Sequence, residues 1–77
     1  MFGSVDKPFM KNEVIQFGKK LREARLKKDL SQGDVAKILG VHRSYISGLE
    51  RGRRNPSLLT VHKVAKALGV SVNELLK

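Results

Sequence analysis

The sequence predicts an all-α fold, a compact bundle of five helices. Apolar residues recur at three- and four-residue spacings in several segments, which is typical of helices with one buried face. No segment alternates apolar and polar residues as a half-buried strand does, and serine and glycine stand where helices are expected to begin and end. The chain has 77 residues, enough for one small domain with a small core.

The first helix is expected from about Glu13 to Lys28. Its apolar residues form one stripe, made by Val14, Phe17, Leu21 and Ala24. Residues 1–12 contain Gly3 and Pro8 and have no apolar period. We therefore predict a flexible N-terminal tail over residues 1–12 and a folded domain over residues 13–77.

Two short helices are predicted next, joined by a tight turn at Gly40 and Val41. Ser31 is a good N-cap for the second helix, and Asp34 completes a capping box with it. This helix is expected to reach Leu39, with Val35, Ala36 and Leu39 facing inward, and Gly40 suits the left-handed position that follows a helix. The third helix is expected from His42 to Arg51, anchored by Val41, Ile46 and Leu49.

A basic loop separates these helices from the last two. Ser57 is expected to cap a fourth helix over Leu58–Leu68, ended by Gly69. Its apolar stripe consists of Leu58, Val61, Val64, Ala65 and Leu68. Ser71 then caps a short fifth helix over Val72–Leu76.

The charge of the chain favours a polyanionic partner. Sixteen Lys and Arg against seven Asp and Glu give a formal net charge of +9. Such a field suits duplex DNA, RNA or an anionic membrane surface, although a basic surface can also serve solubility alone. A helix–turn–helix over Leu30–Glu50 favours the first of these, because such a motif can place its second helix in the major groove of DNA.

Several function classes are disfavoured by composition. The absence of cysteine excludes disulfides and thiolate zinc sites, and His42 and His62 fall in different predicted helices, so no metal or cofactor is expected. The sequence has no paired carboxylates and no Ser-His-acid arrangement, which argues against an enzyme. No apolar run approaches the roughly 20 residues of a membrane helix and no signal peptide is evident, so a cytoplasmic protein without membrane contact is expected.

The segments LREAR, LSQGDVA, YISGLERG, NPSL and VAKALGVSVNELL resemble the Cro/CI-type (XRE-like) helix–turn–helix family of phage repressors and bacterial regulators. The resemblance covers about Phe17 to Leu76, and the string HRSYISGLERGRRN is most similar to small controller proteins of restriction–modification systems. It implies a lambda-repressor-like DNA-binding domain. It also implies a sequence-specific regulator that binds a palindromic double-stranded operator as a homodimer, with the third helix in the major groove.

The start of the third helix is where this family reads bases. By resemblance, Arg43 and Ser44 contact base edges, with Tyr45 and Ser47 in support. Arginine can donate a bidentate pair to guanine, the commonest specific contact in the major groove. Arg43 could instead meet phosphate, and Tyr45 could be a half-buried packing residue. Gly48 departs from phage repressors that carry a long polar side chain there; glycine reads no base but lets DNA or a neighbouring side chain come close.

A second group of residues is expected to contact the DNA backbone. Gln32 stands at a helix start, where free N–H groups bind phosphate, and by resemblance it also braces the third helix. His42 either touches phosphate or only caps its helix. The loop after the third helix should meet phosphates or the narrowed minor groove near the dyad, unless it is a solvated charge run. Its candidate contacts are Arg51, Arg53, Arg54 and Asn55.

The resemblance also implies a structural ion pair and a dimer. Arg25, with Arg22 as the alternative, is expected to pair with Glu50 and lock the third helix to the first. Val72, Leu75 and Leu76 cannot all face one small core, so we predict that they form a homodimer interface. The alternative is that they only close the core of the monomer.

The type of regulator and one alternative function remain open at this point. Controller protein, phage-type repressor and antitoxin-type autoregulator all fit the resemblance. The alternative function is a protein-interaction module, of the antitoxin or adaptor type, that reuses the fold without binding specific DNA. No small-molecule effector is indicated by the sequence.

Overall fold

The structure, a computed structural model, describes residues 9–76. These residues form five helices and no strand: α1 (Lys11–Lys27), α2 (Gln32–Leu39), α3 (Arg43–Glu50), α4 (Leu58–Leu68) and α5 (Val72–Leu76). Helix α1 packs against α3, α4 and α5, while α2 packs against α3 and α4. The prediction of an all-α five-helix bundle is confirmed.

Helix α1 begins at Lys11, two residues before the predicted start. The backbone N–H of Met10 donates to Glu13 Oε1 at 2.8 Å, which satisfies a donor at the helix start. Phe9 is half-buried and packs against the core. The predicted end of the tail at residue 12 is therefore wrong, because this capping contact and the packing of Phe9 order the chain earlier. The rest of the predicted tail, residues 1–8, lies outside the described residues.

The capping box of α2 forms as predicted. The backbone N–H of Asp34 donates to Ser31 Oγ at 2.9 Å, and that of Ser31 donates to Asp34 Oδ2 at 2.8 Å. Gly40 ends the helix with φ of 71°, a left-handed conformation that costs glycine little. This sharp end allows α3 to begin at Arg43, one residue later than predicted, with His42 as its N-cap residue.

The core lies where the stripes of all five helices meet. Its fully buried large side chains are Phe17, Leu21, Val35, Ile46, Leu49, Val61, Val64, Leu68 and Leu75. Helices α1 and α3 lie close together at Gly18, where any Cβ would collide with the carbonyl oxygen of Leu49. A larger residue at position 18 would therefore push α3 away from the scaffold.

Two expectations about apolar residues are wrong. Helix α4 has the predicted bounds, but Leu58 in its first turn is 57% exposed and so does not belong to the buried stripe. Leu75 is 1% exposed and is part of the core of this one chain, while Val72 and Leu76 are partly buried against it. Leu75 is thus not available to a dimer interface, because α5 packs it into the core against α1 and α4.

No helix within residues 9–76 is long and apolar enough to cross a membrane.

Candidate nucleic-acid interface

A buried network of polar side chains fastens α3 to the rest of the molecule. Arg25 Nε donates to Glu50 Oε2 at 2.7 Å, and an Arg25 terminal nitrogen donates to Glu50 Oε1 at 3.0 Å. The other terminal nitrogen donates to the carbonyl oxygen of Leu30 at 2.9 Å. This bidentate pair joins α1 to the last residue of α3. Arg25 is the partner of Glu50, as predicted, and the alternative, Arg22, is exposed and lies outside the network.

The pair is both buried and fully hydrogen-bonded. Arg25 is 8% exposed, and the side chain of Glu50 is 4% exposed. The hydrogen bond to Glu50 raises the pKa of Arg25 above its usual value, against the burial that lowers it. Among the described residues no buried side-chain polar atom is left without a partner. The network therefore fixes the orientation of α3 without leaving an uncompensated charge.

Gln32 joins the same network from the start of α2. Its Nε2 donates to Glu50 Oε1 at 3.0 Å, so Glu50 ties α1, α2 and α3 together. An amide nitrogen carries two N–H groups, and this contact uses one of them. The bracing role expected for Gln32 is present, and a second N–H remains for an acceptor such as phosphate.

The N-terminal turn of α3 presents polar side chains to solvent. Arg43 and Ser44 are exposed, and Ser47, one turn further on, is half-buried. The Arg43 stem passes close to the start of α2, since its Cδ is 3.8 Å from where a Cβ on Gly33 would stand. His42 makes no side-chain capping hydrogen bond, so its ring is not committed to the helix end. Arg43 and Gln32 thus belong to one surface at the junction of α2 and α3.

Tyr45 combines packing with a polar contact. The side chain is half-buried and packs against the core, and its hydroxyl lies 3.4 Å from Thr60 Oγ1 on α4. The guanidinium carbon of Arg54 stands 5.3 Å from the centre of the ring. The contacts expected of a packing residue are therefore present, and the expected base contact of Tyr45 stays a prediction.

The loop after α3 carries three exposed arginines, Arg51, Arg53 and Arg54. Asn55 differs from them, because its side chain holds the segment before α1: Phe9 N donates to Asn55 Oδ1 at 3.3 Å, and Asn55 Nδ2 donates to Phe9 O at 2.9 Å. The sequence did not predict this role. The two residues are 46 positions apart, and no local pattern relates them.

Gly48 lies next to a side chain from the following loop. The sequence left open whether DNA or a neighbouring side chain comes close at this glycine. A Cβ placed on Gly48 would lie 2.5 Å from Arg54 Cγ. The side chain of Arg54 therefore packs against α3 from the basic loop, a contact that the sequence did not predict. The glycine was a signal that something approaches α3 closely, but the sequence did not identify the approaching residue.

The described residues hold no group of three or more His, Cys, Asp or Glu side chains that could bind a metal ion.

Comparison with known proteins identifies relatives over most of the chain. The family model described as "Helix-turn-helix" matches residues 21–75. Control protein C.BamHI from Bacillus amyloliquefaciens is 46% identical over 69 residues, which is 87% of this chain and 85% of that protein.

Two solved structures show the same arrangement. The restriction–modification controller protein C.AhdI from Aeromonas hydrophila superimposes with a TM-score of 0.78 and 45% identity, covering 83% of this chain and 97% of that one. SinR, the master regulator for biofilm formation, solved in complex with DNA, gives a TM-score of 0.74 and 37% identity, covering 79% of this chain and 98% of that one.

Proposed function

Because the chain belongs to the Helix-turn-helix family, we propose that it is a sequence-specific transcriptional regulator that binds a palindromic double-stranded DNA operator as a homodimer. Helix α3 enters the major groove. The observation that carries this proposal is the exposed N-terminal turn of α3, held in one orientation by the buried Glu50 network. A helix that reads bases needs both features, since its side chains must be accessible to the DNA while the orientation of the helix stays fixed.

The roles of the contact residues follow from their exposure. Arg43 and Ser44 read base edges in each half-site, with Ser47 one turn behind them. Gln32 and His42 contact phosphate on one side of the groove, where the free N–H groups at the start of α2 also point. Arg51 and Arg53 contact the backbone on the other side. No chemical step is involved, so the protein acts as a binding protein and not as an enzyme.

The first test is selection of bound sites from random duplex DNA. We expect a palindrome whose half-sites lie about one helical turn apart, roughly 34–36 Å. Affinity for the selected duplex should exceed that for random duplex by about a thousandfold or more. It should also fall by about a thousandfold or more between 50 and 200 mM salt if at least six phosphates are contacted.

A pair of variants separates base reading from charge. Arg43→Ala should weaken binding by about 1–3 kcal/mol and relax preference at one position of each half-site. Lys19→Ala removes the same charge from an exposed position on α1 and should leave the selected sequence unchanged. Failure of the natural protein to bind any duplex at low salt would contradict the proposal and favour a protein-interaction module.

A further inference from the structure

A groove of about 340 Å³ lies between the second half of α1, the end of α4 and α5. Two of the residues that line it, Leu68 and Leu75, are fully buried. Two others, Ala24 and Val70, are only half-buried and leave apolar atoms accessible. Sites for small molecules are concave and mostly apolar, with volumes of about 300–1,000 Å³. The groove therefore has the size and the apolar lining of a site for a small ligand.

The rim of the groove carries lysines whose charges are not all paired. Lys20 Nζ lies 3.9 Å from Glu23 Oε1, so this charge has a partner within the groove. Within residues 9–76, neither Lys27 nor Lys28 forms an ion pair, and both are exposed. The remaining charged residue of the lining is Glu74, which offsets one of these two charges. The rim thus keeps a net positive charge next to an apolar surface.

The ammonium group of Lys28 lies directly beside the end of α4. A Cβ placed on Gly69 would lie 3.2 Å from Lys28 Nζ and 3.8 Å from its Cε. Lys28 is nevertheless exposed, so its N–H groups can donate to a bound molecule. An ammonium group beside apolar side chains suits a ligand that has an apolar body and one anionic end, because a charge-assisted hydrogen bond then accompanies apolar burial.

The groove is separate from the candidate DNA contacts. All the residues that line it belong to α1, α4, α5 and the turn between the last two helices, and none belongs to α2, α3 or the basic loop. A molecule bound in the groove would therefore leave the exposed N-terminal turn of α3 accessible.

We propose that this groove binds a small amphipathic carboxylate, with the apolar chain against Ala24 and Val70 and the carboxylate on Lys27 and Lys28. A helix is about 10 Å across and 5.4 Å long for each turn. The groove holds less than one such turn, so a small molecule fits it better than a partner helix does. The proposal goes beyond the proposed function and does not rest on it, since it requires no contact with DNA.

The first experiment titrates the full chain with sodium octanoate while backbone amide NMR signals are recorded. We expect saturable binding of one molecule, with shifts concentrated at Ala24, Gly69 and Val70 and none at Arg43. Decanoate should bind more tightly, by about fourfold for each added CH₂ group, because each group buries further apolar surface. Octylammonium, which has a cationic end, should not bind because the rim is positively charged.

Two variants test the two parts of the site. Ala24→Leu fills the groove with apolar atoms and should abolish octanoate binding while the helical circular dichroism is kept. Lys27→Gln with Lys28→Gln should weaken binding by about 2- to 5-fold for each lysine, since exposed charges contribute modestly. Lys37→Gln removes the same charge from an exposed position on α2, away from the groove, and should leave octanoate affinity unchanged.

Several results would overturn this inference. Equal binding of octanoate and octylammonium, or shifts spread over the whole surface, would show unspecific adsorption. Full octanoate binding by folded Ala24→Leu would place the ligand elsewhere, and if Ala24→Leu does not fold, equal effects of the double lysine variant and Lys37→Gln would do the same. A protein that binds an operator but no carboxylate would contradict the groove proposal alone, whereas one that binds octanoate but no duplex would contradict only the proposed function.

Discussion

At the scale of single residues, loss of either partner of the Arg25–Glu50 pair should strongly destabilise the domain. Glu50→Ala would leave the buried guanidinium without its partner carboxylate, and such a loss costs about 3–5 kcal/mol. Replacing both partners, as in Arg25→Met with Glu50→Leu, should cost much less than the sum of the single changes, because no buried charge is then left alone. Urea unfolding of the four proteins would measure this coupling.

An exposed ion pair in the same chain provides the control. Lys20 Nζ and Glu23 Oε1 are 3.9 Å apart, with side chains 36% and 65% exposed. Glu23→Ala should change stability by less than about 1 kcal/mol, because solvent screens such pairs. Equal effects of Glu23→Ala and Glu50→Ala would show that the buried network does not hold α3.

At the scale of the elements, local signals predicted most of the helix bounds. Ser31 and Ser57 mark the starts of α2 and α4, and Gly40 and Gly69 mark their ends, because each acts on backbone groups within four residues. The start of α1 was missed, since no small polar residue stands at Met10.

Long-range contacts account for the other differences. Asn55 binds Phe9 across 46 residues, and Arg54 reaches back onto α3 from the following loop. The burial of Leu75 depends on how α5 meets α1 and α4, which no periodicity within five residues can specify. The residues of the candidate site could therefore be predicted as a set, whereas their contacts within the protein required the packed structure.

The capping box of α2 makes the stability of that helix depend on pH. Hydrogen bonds from the backbone and side chain of Ser31 lower the pKa of Asp34. A carboxyl whose pKa is lowered on folding stabilises the protein above its unfolded pKa of about 3.9, and that contribution is lost as pH falls through the folded value. The natural protein should therefore have a higher Tm than Asp34→Asn at pH 7, and the difference should shrink below about pH 4.

Two further variants check that the capping box is responsible for the pH dependence of Tm. Ser31→Ala removes the cap itself and should cost about 1 kcal/mol at pH 7. Asp29→Asn removes one carboxylate outside the box and serves as the reference for the loss of charge. A Tm difference between the natural protein and Asp34→Asn that stays constant from pH 7 to pH 2 would contradict the proposed linkage.

At the scale of the whole molecule, one chain contains a single copy of α3, so the palindromic operator that we propose calls for a second copy. The burial of Leu75 removes the centre of the interface that the sequence suggested. Leu58 and Leu59, which are 57% and 64% exposed, lie side by side at the start of α4, directly after the basic loop. Contact between two copies there would bring both basic loops to the two-fold axis and cover adjacent apolar side chains.

We expect the natural protein to sediment as a dimer, and the variant Leu58→Gln with Leu59→Gln to sediment as a monomer at the same concentration. Both side chains are largely exposed, so polar replacements should leave the fold and its Tm nearly unchanged. Leu26→Gln is the matched control, since Leu26 is 54% exposed on α1, away from the loop. On the palindrome, the double variant should bind more weakly and with a steeper dependence on protein concentration, because assembly then occurs on the DNA. A double variant that stays dimeric, or a Leu26→Gln protein that dissociates, would place the interface elsewhere.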